Sequence, residues 1–412
     1  MNPPPTFICF SYLTVPKNEA QAFTASRFYS ALAEAGGKVI LVTLDHPEEI
    51  APDVAQEMLS PKIELLRIPF SPPRNVRLWQ RFRNRKRLDY NWWNVTPLAA
   101  TRKVEELLRK NPGSILISRS FPLESHLTVY DIRRSARLWI PHFSDPLPLQ
   151  IQEVIDDLNQ TWMLRMRNRH DTQMVRNIIR EAGLVTVTSR NAIRYFSELC
   201  GNRYAEKFHV ANHIGVPRLA SSGFVPARTP GAFEITHVGS LAKCRYPERI
   251  VAEFSRAAAA WPELRLTLYG QLFAFQDCPP NLPWLNLSPQ RLPCPRQSTD
   301  VMAHSNMNLI VDAESSLPYG PFLASKYAYA VGVGRPVLGA GVADCEMAKL
   351  RDEFQSTYFA DITKPGALAK LLLKIRDEAG HLTTPCPALQ DRFSASTVAK
   401  EFLQRVNLTL QS

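Results

Sequence analysis

Short, nearly continuous apolar runs recur along the first half of the chain. Between them lie longer stretches in which apolar residues return every three or four positions. The first run covers 7–13, and Asn18 is placed to cap a helix over 19–35 that sets Phe28, Ala31, Leu32 and Ala35 on one face. Gly36-Gly37 stops that helix, and 38–44 reads as a strand buried on both faces. Runs at 114–118, 138–140 and 184–188, separated by helical stretches at 98–109, 126–134 and 171–181, repeat the β-α-β unit. Strand alternating with helix predicts a parallel sheet covered on both faces.

A loop rich in Pro, Ser and Gly at 215–231 interrupts the pattern, which restarts at 233–239. Helix 248–260, strands 264–269 and 307–313, a helix beginning near Phe322, strand 336–338 and a helix over 365–376 follow, with a last helix at 394–406. The expected organisation is an N-terminal domain over 1–215, a C-terminal domain over 232–390, and a helix over 391–412 that returns to the first domain. Open parallel sheets bind ligands at the carboxyl ends of their strands, so the expected ligand position is the crevice between the domains.

Composition narrows the function classes. Of 412 residues, 45% are apolar and 21% charged, enough apolar material for two packed cores. The net charge of +11 favours anionic partners: nucleotides, nucleic acid or an acidic membrane face. Seven scattered cysteines with no C-x-x-C argue for a reducing compartment and against zinc or a disulfide framework. The opening Met-Asn-Pro-Pro-Pro-Thr is unlike a signal peptide and no apolar run is long enough to span a bilayer, so a cytoplasmic protein is expected.

Among candidate chemistry, the helix near Phe322 carries Ser325 and Lys326 at its start and Gly334-Arg-Pro at its end. Free amides at a helix N-terminus, a hydroxyl and a full positive charge suit a diphosphate; the bland alternative is a locally capped helix with a solvated lysine. Phosphate-loop, G-x-G-x-x-G, G-x-S-x-G and H-E-x-x-H motifs are absent. His209 and His213 are four apart, but the adjoining Ala211-Asn212 and Gly215-Val-Pro217 read as loop, so no metal is expected there. Arg74–Arg87 holds seven basic residues interleaved with Leu78, Trp79 and Phe82, soon followed by Trp92-Trp93. That composition suits a lipid-headgroup interface, an RNA surface, or a solvated helix packed through its aromatics.

Leu309-Ile-Val-Asp-Ala313, Phe322-Leu-Ala-Ser-Lys-Tyr327 and Gly334-Arg-Pro-Val-Leu-Gly339 together resemble the nucleotide-sugar-binding segment of GT-B glycosyltransferases of the family 4 type. Ser118–Leu127, Trp139-Ile-Pro-His-Phe-Ser-Asp-Pro146, Val185-Thr-Val-Thr-Ser189 and His237-Val-Gly-Ser-Leu-Ala-Lys243 resemble other family segments in the same order, over nearly the whole length. The resemblance implies two Rossmann-like α/β domains facing across a cleft, the first binding the acceptor and the second the nucleotide sugar. It implies hexosyl transfer with retention to a glycan or lipid-linked acceptor in polysaccharide biosynthesis, without metal or cofactor. It also implies peripheral contact of segment 74–93 with the inner face of the membrane, and no nucleic-acid partner. Gly239, Ser240, Lys243, Arg245, Ser325, Lys326 and Tyr329 then face the donor, with Lys243 and Lys326 stabilising the leaving diphosphate. In the N-terminal domain His142, Asp145, His126, Arg119 and Glu124 are the candidates for the reacting centre. There a histidine can polarise a sugar hydroxyl, while core pinning of His142 by Asp145 and a capping role for His126 stay open. The family's paired glutamates are replaced by Pro321 and Tyr329, and the arginine after the C-domain glycine by Ser240. These departures point to the second reading, a non-catalytic nucleotide- or glycan-binding protein on the same scaffold.

Overall fold

The structure, a computed structural model, describes residues 5–17, 19–45, 49–69, 97–120, 122–148, 162–216, 221–226, 228–239, 241, 245–270, 282–288, 292, 295–378 and 380–411. The basic segment 74–93, Ser240 and Lys243 lie outside the described residues. Two compact units emerge: the chain passes from the first to the second between Asn212 and His213, and back between Ser394 and Ala395.

The first unit contains β1 (Thr6–Ser11), α1 (Ala20–Glu34), β2 (Lys38–Leu44), α2 (Pro52–Met58), β3 (Glu64–Ile68), α3 (Leu98–Lys110), β4 (Ile115–Arg119), α4 (Glu124–Tyr130), β5 (Leu138–Phe143), α5 (Trp162–Glu181), β6 (Val185–Val187), α6 (Arg190–Leu199) and β7 (Phe208–Val210). Its described strands form one parallel sheet in the order β3-β2-β1-β4-β5-β6-β7. Burial on both faces explains why β1, β2, β4 and β5 are unbroken apolar runs with few polar insertions. Helix α1 begins one residue after Glu19, which makes no side-chain cap; the expected cap Asn18 is outside the described residues. Helix α5 starts at Trp162 rather than 171: its opening apolar residues Trp162, Met163, Leu164 and Met166 are followed by Arg-Asn-Arg-His at 167–170, so no apolar stripe returns at helical spacing through this half. Ser189 caps α6 by accepting from Ala192 N at 3.0 Å. His209, read as loop, lies on strand β7, paired with Thr186 of β6.

The second unit contains β8 (Phe233–Val238), α7 (Pro247–Ala260), β9 (Leu264–Tyr269), β10 (Leu285–Ser288), α8 (Pro295–His304), β11 (Met307–Val311), α9 (Ser325–Val333), β12 (Val337–Gly341), α10 (Glu346–Phe354), β13 (Tyr358–Asp361), α11 (Ala367–Asp377) and α12 (Pro387–Arg392). Its described strands are also all parallel, in the order β10-β9-β8-β11-β12-β13. The buried Glu253 of α7 ties this unit together by accepting from Gly366 N (2.7 Å) and Ala369 N (2.9 Å), which fills the free amides at the start of α11. The last helix, α13 (Ala395–Gln411), packs on the first unit, where Phe402 lies 5.2 Å from Phe28 of α1 and 6.3 Å from Phe7 of β1.

Candidate functional site

In the second unit, the carboxyl ends of β8, β9, β11 and β12 gather a cluster of buried charge. Gly239 follows β8 at φ +115 and donates from its amide to Tyr269 O at 2.6 Å. Gly270 follows β9 at φ +131, so close that a Cβ there would stand 2.7 Å from the Gly239 carbonyl group. Two backbones meet with no side chain between them, which only glycine permits at these angles. Lys326 lies on the open face of this floor: a Cβ at Gly239 would fall 2.2 Å from its Cε and Nζ. Helix α9 delivers the lysine, but starts at Ser325 rather than near Phe322, since Ala324 is extended. Ser325 and Lys326 are therefore its first two residues. Gly334 in the left-handed conformation ends the helix where Gly-Arg-Pro required.

Burial, and secondarily the charge of Arg245, lower the Lys326 pKa to about 7. Arg245 donates to Val311 O at the end of β11. Beside it Asp312, 2% exposed, accepts from Ala313 N at 3.0 Å through Oδ1 and donates its own amide to Ala340 O at 2.8 Å. Its Oδ2 has no hydrogen-bond partner among the described residues and packs against Gly320. Burial pushes its pKa up to about 7 against the opposing pull of Arg245. His237 of β8 donates from Nδ1 to Leu309 O (2.9 Å), which leaves Nε2 as a bare acceptor without a partner among the described residues. Burial first, then Lys326, hold that imidazole neutral. The phenol of Tyr246 is raised by burial and by the nearby Glu314 and Asp312. The arrangement offers an anion a cation whose charge is set by its occupant: a phosphate oxygen beside Lys326 restores the proton that burial alone would remove near neutrality.

The cluster thus unites Gly239, Arg245, Ser325 and Lys326. Tyr329, one turn further along α9, packs with Val238, Tyr269, Val301 and Met302. His237, Asp312 and Gly270 were not anticipated from the sequence. The signals for Asp312 were its place directly after the apolar run Leu309-Ile-Val311 and inside the segment 309–313 of the family resemblance.

The five candidates of the first unit are divided among four places. Arg119 and His142 are cross-strand neighbours in a polar row, Ser11–Arg119–His142–Thr186, running across β1, β4, β5 and β6. His142 Nδ1 is hydrogen-bonded to Thr186 Oγ1 at 3.0 Å, its ring is 5.2 Å from Phe28, and the Arg119 guanidinium lies over that same phenylalanine at 5.3 Å. His126 sits elsewhere, fully buried: Trp139 Nε1 donates to Ser118 Oγ (3.0 Å), which is hydrogen-bonded to His126 Nδ1 (2.8 Å). Burial lowers its pKa to about 3, so the ring is neutral at physiological pH. Glu124 opens α4 with its carboxyl raised by burial and, more weakly, by Asp171 of α5. Asp145 follows β5 and accepts from Gln21 Nε2 at 2.6 Å. His209 and His213 fall in different units, the latter donating from Nε2 to Leu323 O (3.1 Å).

No protein-family model matches the chain, and no curated protein matches it at the sequence level. Solved structures do match over nearly the full length of both partners. Sucrose-phosphate synthase from Thermosynechococcus elongatus superposes with a TM-score of 0.64 at 15% identity, covering 99% of each chain. HepE of Anabaena, in complex with UDP and glucose, gives 0.62 at 13% identity over 98% of this chain and 99% of its own. A glycosyltransferase from Rickettsia africae gives 0.60 at 11%, covering 99% of each. With two parallel sheets of seven and six described strands, each flanked by helices, the chain has the GT-B fold of two Rossmann-like α/β domains.

Proposed function

We propose that the chain is a glycosyltransferase that moves a hexose from a nucleotide sugar to a glycan or lipid-linked acceptor. The observation that carries this reading is Lys326, laid across the bare backbone of Gly239 at the start of α9. A departing nucleoside diphosphate gains negative charge as the glycosidic bond breaks. An ammonium and helix amides at that position stabilise the product side more than the ground state, which is what accelerates transfer. Arg245 sets the electrostatics beside Lys326, and in this reading Arg119 and His142 of the first unit orient an acceptor hydroxyl. Fold likeness to HepE, whose structures hold UDP with glucose and UDP-glucose, makes a uridine diphosphate sugar the first donor to try. Retention, independence of metal, a place in polysaccharide assembly and work at an anionic membrane face complete the proposal.

The competing reading, a binding protein without catalysis, draws support from Pro321 and Tyr329 where the resembled family carries glutamates, and from the apolar packing of Tyr329. Calorimetry against UDP, GDP, ADP and their sugar conjugates, with Lys326→Ala beside the parent, tests the donor site. Saturable binding lost in the variant is expected. Because Lys326 titrates at about 7 before ligand binds and the bound diphosphate keeps it protonated, binding takes up a proton above neutrality and affinity should fall by up to about tenfold per pH unit there. Affinity that is flat from pH 7 to 9, or unchanged in Lys326→Ala, overturns the assignment. Binding without any sugar transfer or donor hydrolysis selects the non-catalytic reading.

A further inference from the structure

We infer that the outward face of α5 is a docking surface for an anionic lipid bilayer. This deepens the membrane-facing part of the function proposed above and rests on it only for biological purpose; the surface itself stands on α5.

The C-terminal half of α5 buries Met174, Val175, Ile178 and Ile179. At about 100° per residue, the line opposite that stripe runs through Trp162, Arg165, Met166, Arg169, Gln173, Arg176 and Arg180, every one of them exposed. It extends about 27 Å along the helix at 1.5 Å per residue. Trp162 is 65% and Met166 37% exposed, two of the few large apolar side chains the described residues leave open, and they stand one turn apart. Four arginines share the line and no acidic residue does. The acids of α5 lie on other faces and are engaged: Asp171 with Arg167 at 3.8 Å, and Glu181 with Arg133 at 2.6 Å. Neither Arg165 nor Arg169 makes an ion pair among the described residues.

This pattern combines an indole and a thioether at one end with guanidinium groups between and beyond them. Indole rings favour the headgroup level, and arginines beside it meet lipid phosphates. No described helix is long and apolar enough to cross a membrane, so α5 would lie on the surface. A nucleic acid would also accept arginines and a tryptophan, but it gains little from an exposed Met166, and a single convex helix face supplies no groove to follow a strand. Charge complementarity together with the apolar end therefore commits the surface to lipid.

The test is sedimentation of the full chain with phosphatidylcholine vesicles, with and without phosphatidylglycerol. Binding is expected only with the anionic lipid, weakening as salt rises. Each surface arginine contributes about a fivefold factor, so Arg165→Gln with Arg169→Gln should weaken binding about 30-fold. Trp162→Ser should weaken it further, and in Trp162→Phe the lipid-induced blue shift of tryptophan emission should disappear. All three side chains are exposed, so thermal midpoints should stay with the parent. Absence of anionic-vesicle binding, parental binding by the Arg165/Arg169 double variant, or displacement of vesicles by an RNA oligonucleotide at lower concentration than by soluble phosphatidylglycerol headgroup overturns the inference. Nucleotide affinity measured on the same samples separates the two readings. Vesicle binding without nucleotide binding removes the donor site and leaves this surface standing, and the converse removes this surface alone.

Discussion

Replacing Gly239 by alanine should disable the donor site at small cost to the fold. The added Cβ would fall 2.2 Å from Lys326 Cε and Nζ, so the lysine must swing away; its far end is flexible and moves without disturbing the backbone. The remaining cost is conformational, since alanine at φ +115 carries a strain of about 1–3 kcal/mol. At about 2–4 °C per kcal/mol for a unit of this size, a strain near 2 kcal/mol lowers the melting midpoint by about 4–8 °C. Loss of the lysine contact removes a charge-assisted hydrogen bond of about 1.5–3 kcal/mol, or about 10- to 150-fold in nucleotide Kd. Gly270→Ala provides the contrast: its Cβ would strike the Gly239 carbonyl group at 2.7 Å, and backbone cannot rotate aside, so stability should fall further than in Gly239→Ala. Calorimetry on Gly239→Ala, Lys326→Ala and the double variant closes the cycle. If the glycine acts by seating the lysine, the double variant binds no worse than Lys326→Ala. Additive losses, or parental affinity in Gly239→Ala, refute the reasoning.

Asp312→Asn should change how stability depends on pH. The folded carboxyl titrates at about 7 and the unfolded one near its ordinary 3.8, so the folded state holds the extra proton between those values and stability falls as pH rises through that window. The variant should match the parent below about pH 4 and pull ahead through that window to a plateau above about pH 7, by up to roughly 4 kcal/mol for a shift of this size; parallel pH–stability curves for the two in urea titrations would contradict the placement. Ser118→Ala strips a partner from both Trp139 Nε1 and His126 Nδ1, buried groups whose orphaning costs about 1–3 kcal/mol each. Urea midpoints should drop accordingly while nucleotide affinity holds; a stability change within error would mean that the buried trio is not hydrogen-bonded as described.

The fold was legible where burial is complete. Strands sandwiched between helices on both faces show mostly apolar side chains, so β1, β2, β4, β8 and β9 stood out, and the glycines after α1 and α9 closed their helices. The elements that escaped lie at the margins. β3, β10 and β13 sit at sheet edges or ends, are only partly buried, and carry polar residues in Glu-Leu-Leu-Arg-Ile, Leu-Asn-Leu-Ser and Tyr-Phe-Ala-Asp that break an apolar run. Short helices such as α10 and α12 are anchored by tertiary contacts that local periodicity does not encode.

The site shows the same division more sharply. Lys326 could be picked out because a cation at a helix start is a sequence pattern with a mechanism, but a polar residue on or after a buried strand is silent about whether its hydrogen bonds are met. Asn308 and Asp312 lie one strand length apart on the same segment and read alike. Asn308 is satisfied on both sides, donating to Met302 O at 3.3 Å and accepting from Ser305 Oγ at 3.2 Å. Asp312 keeps one oxygen without a partner among the described residues, beside Gly320 and within reach of the Arg245 charge. What separates a structural asparagine from an aspartate titrating near neutrality is therefore the company each keeps across the sheet. Glu234, equally buried on β8, makes the point from the other side: Thr267 Oγ1 donates to its carboxylate from the neighbouring strand. A sequence fixes which polar groups are carried into the interior. Only the packing decides which of them arrive with a bond still to make, and those are the groups to examine for function.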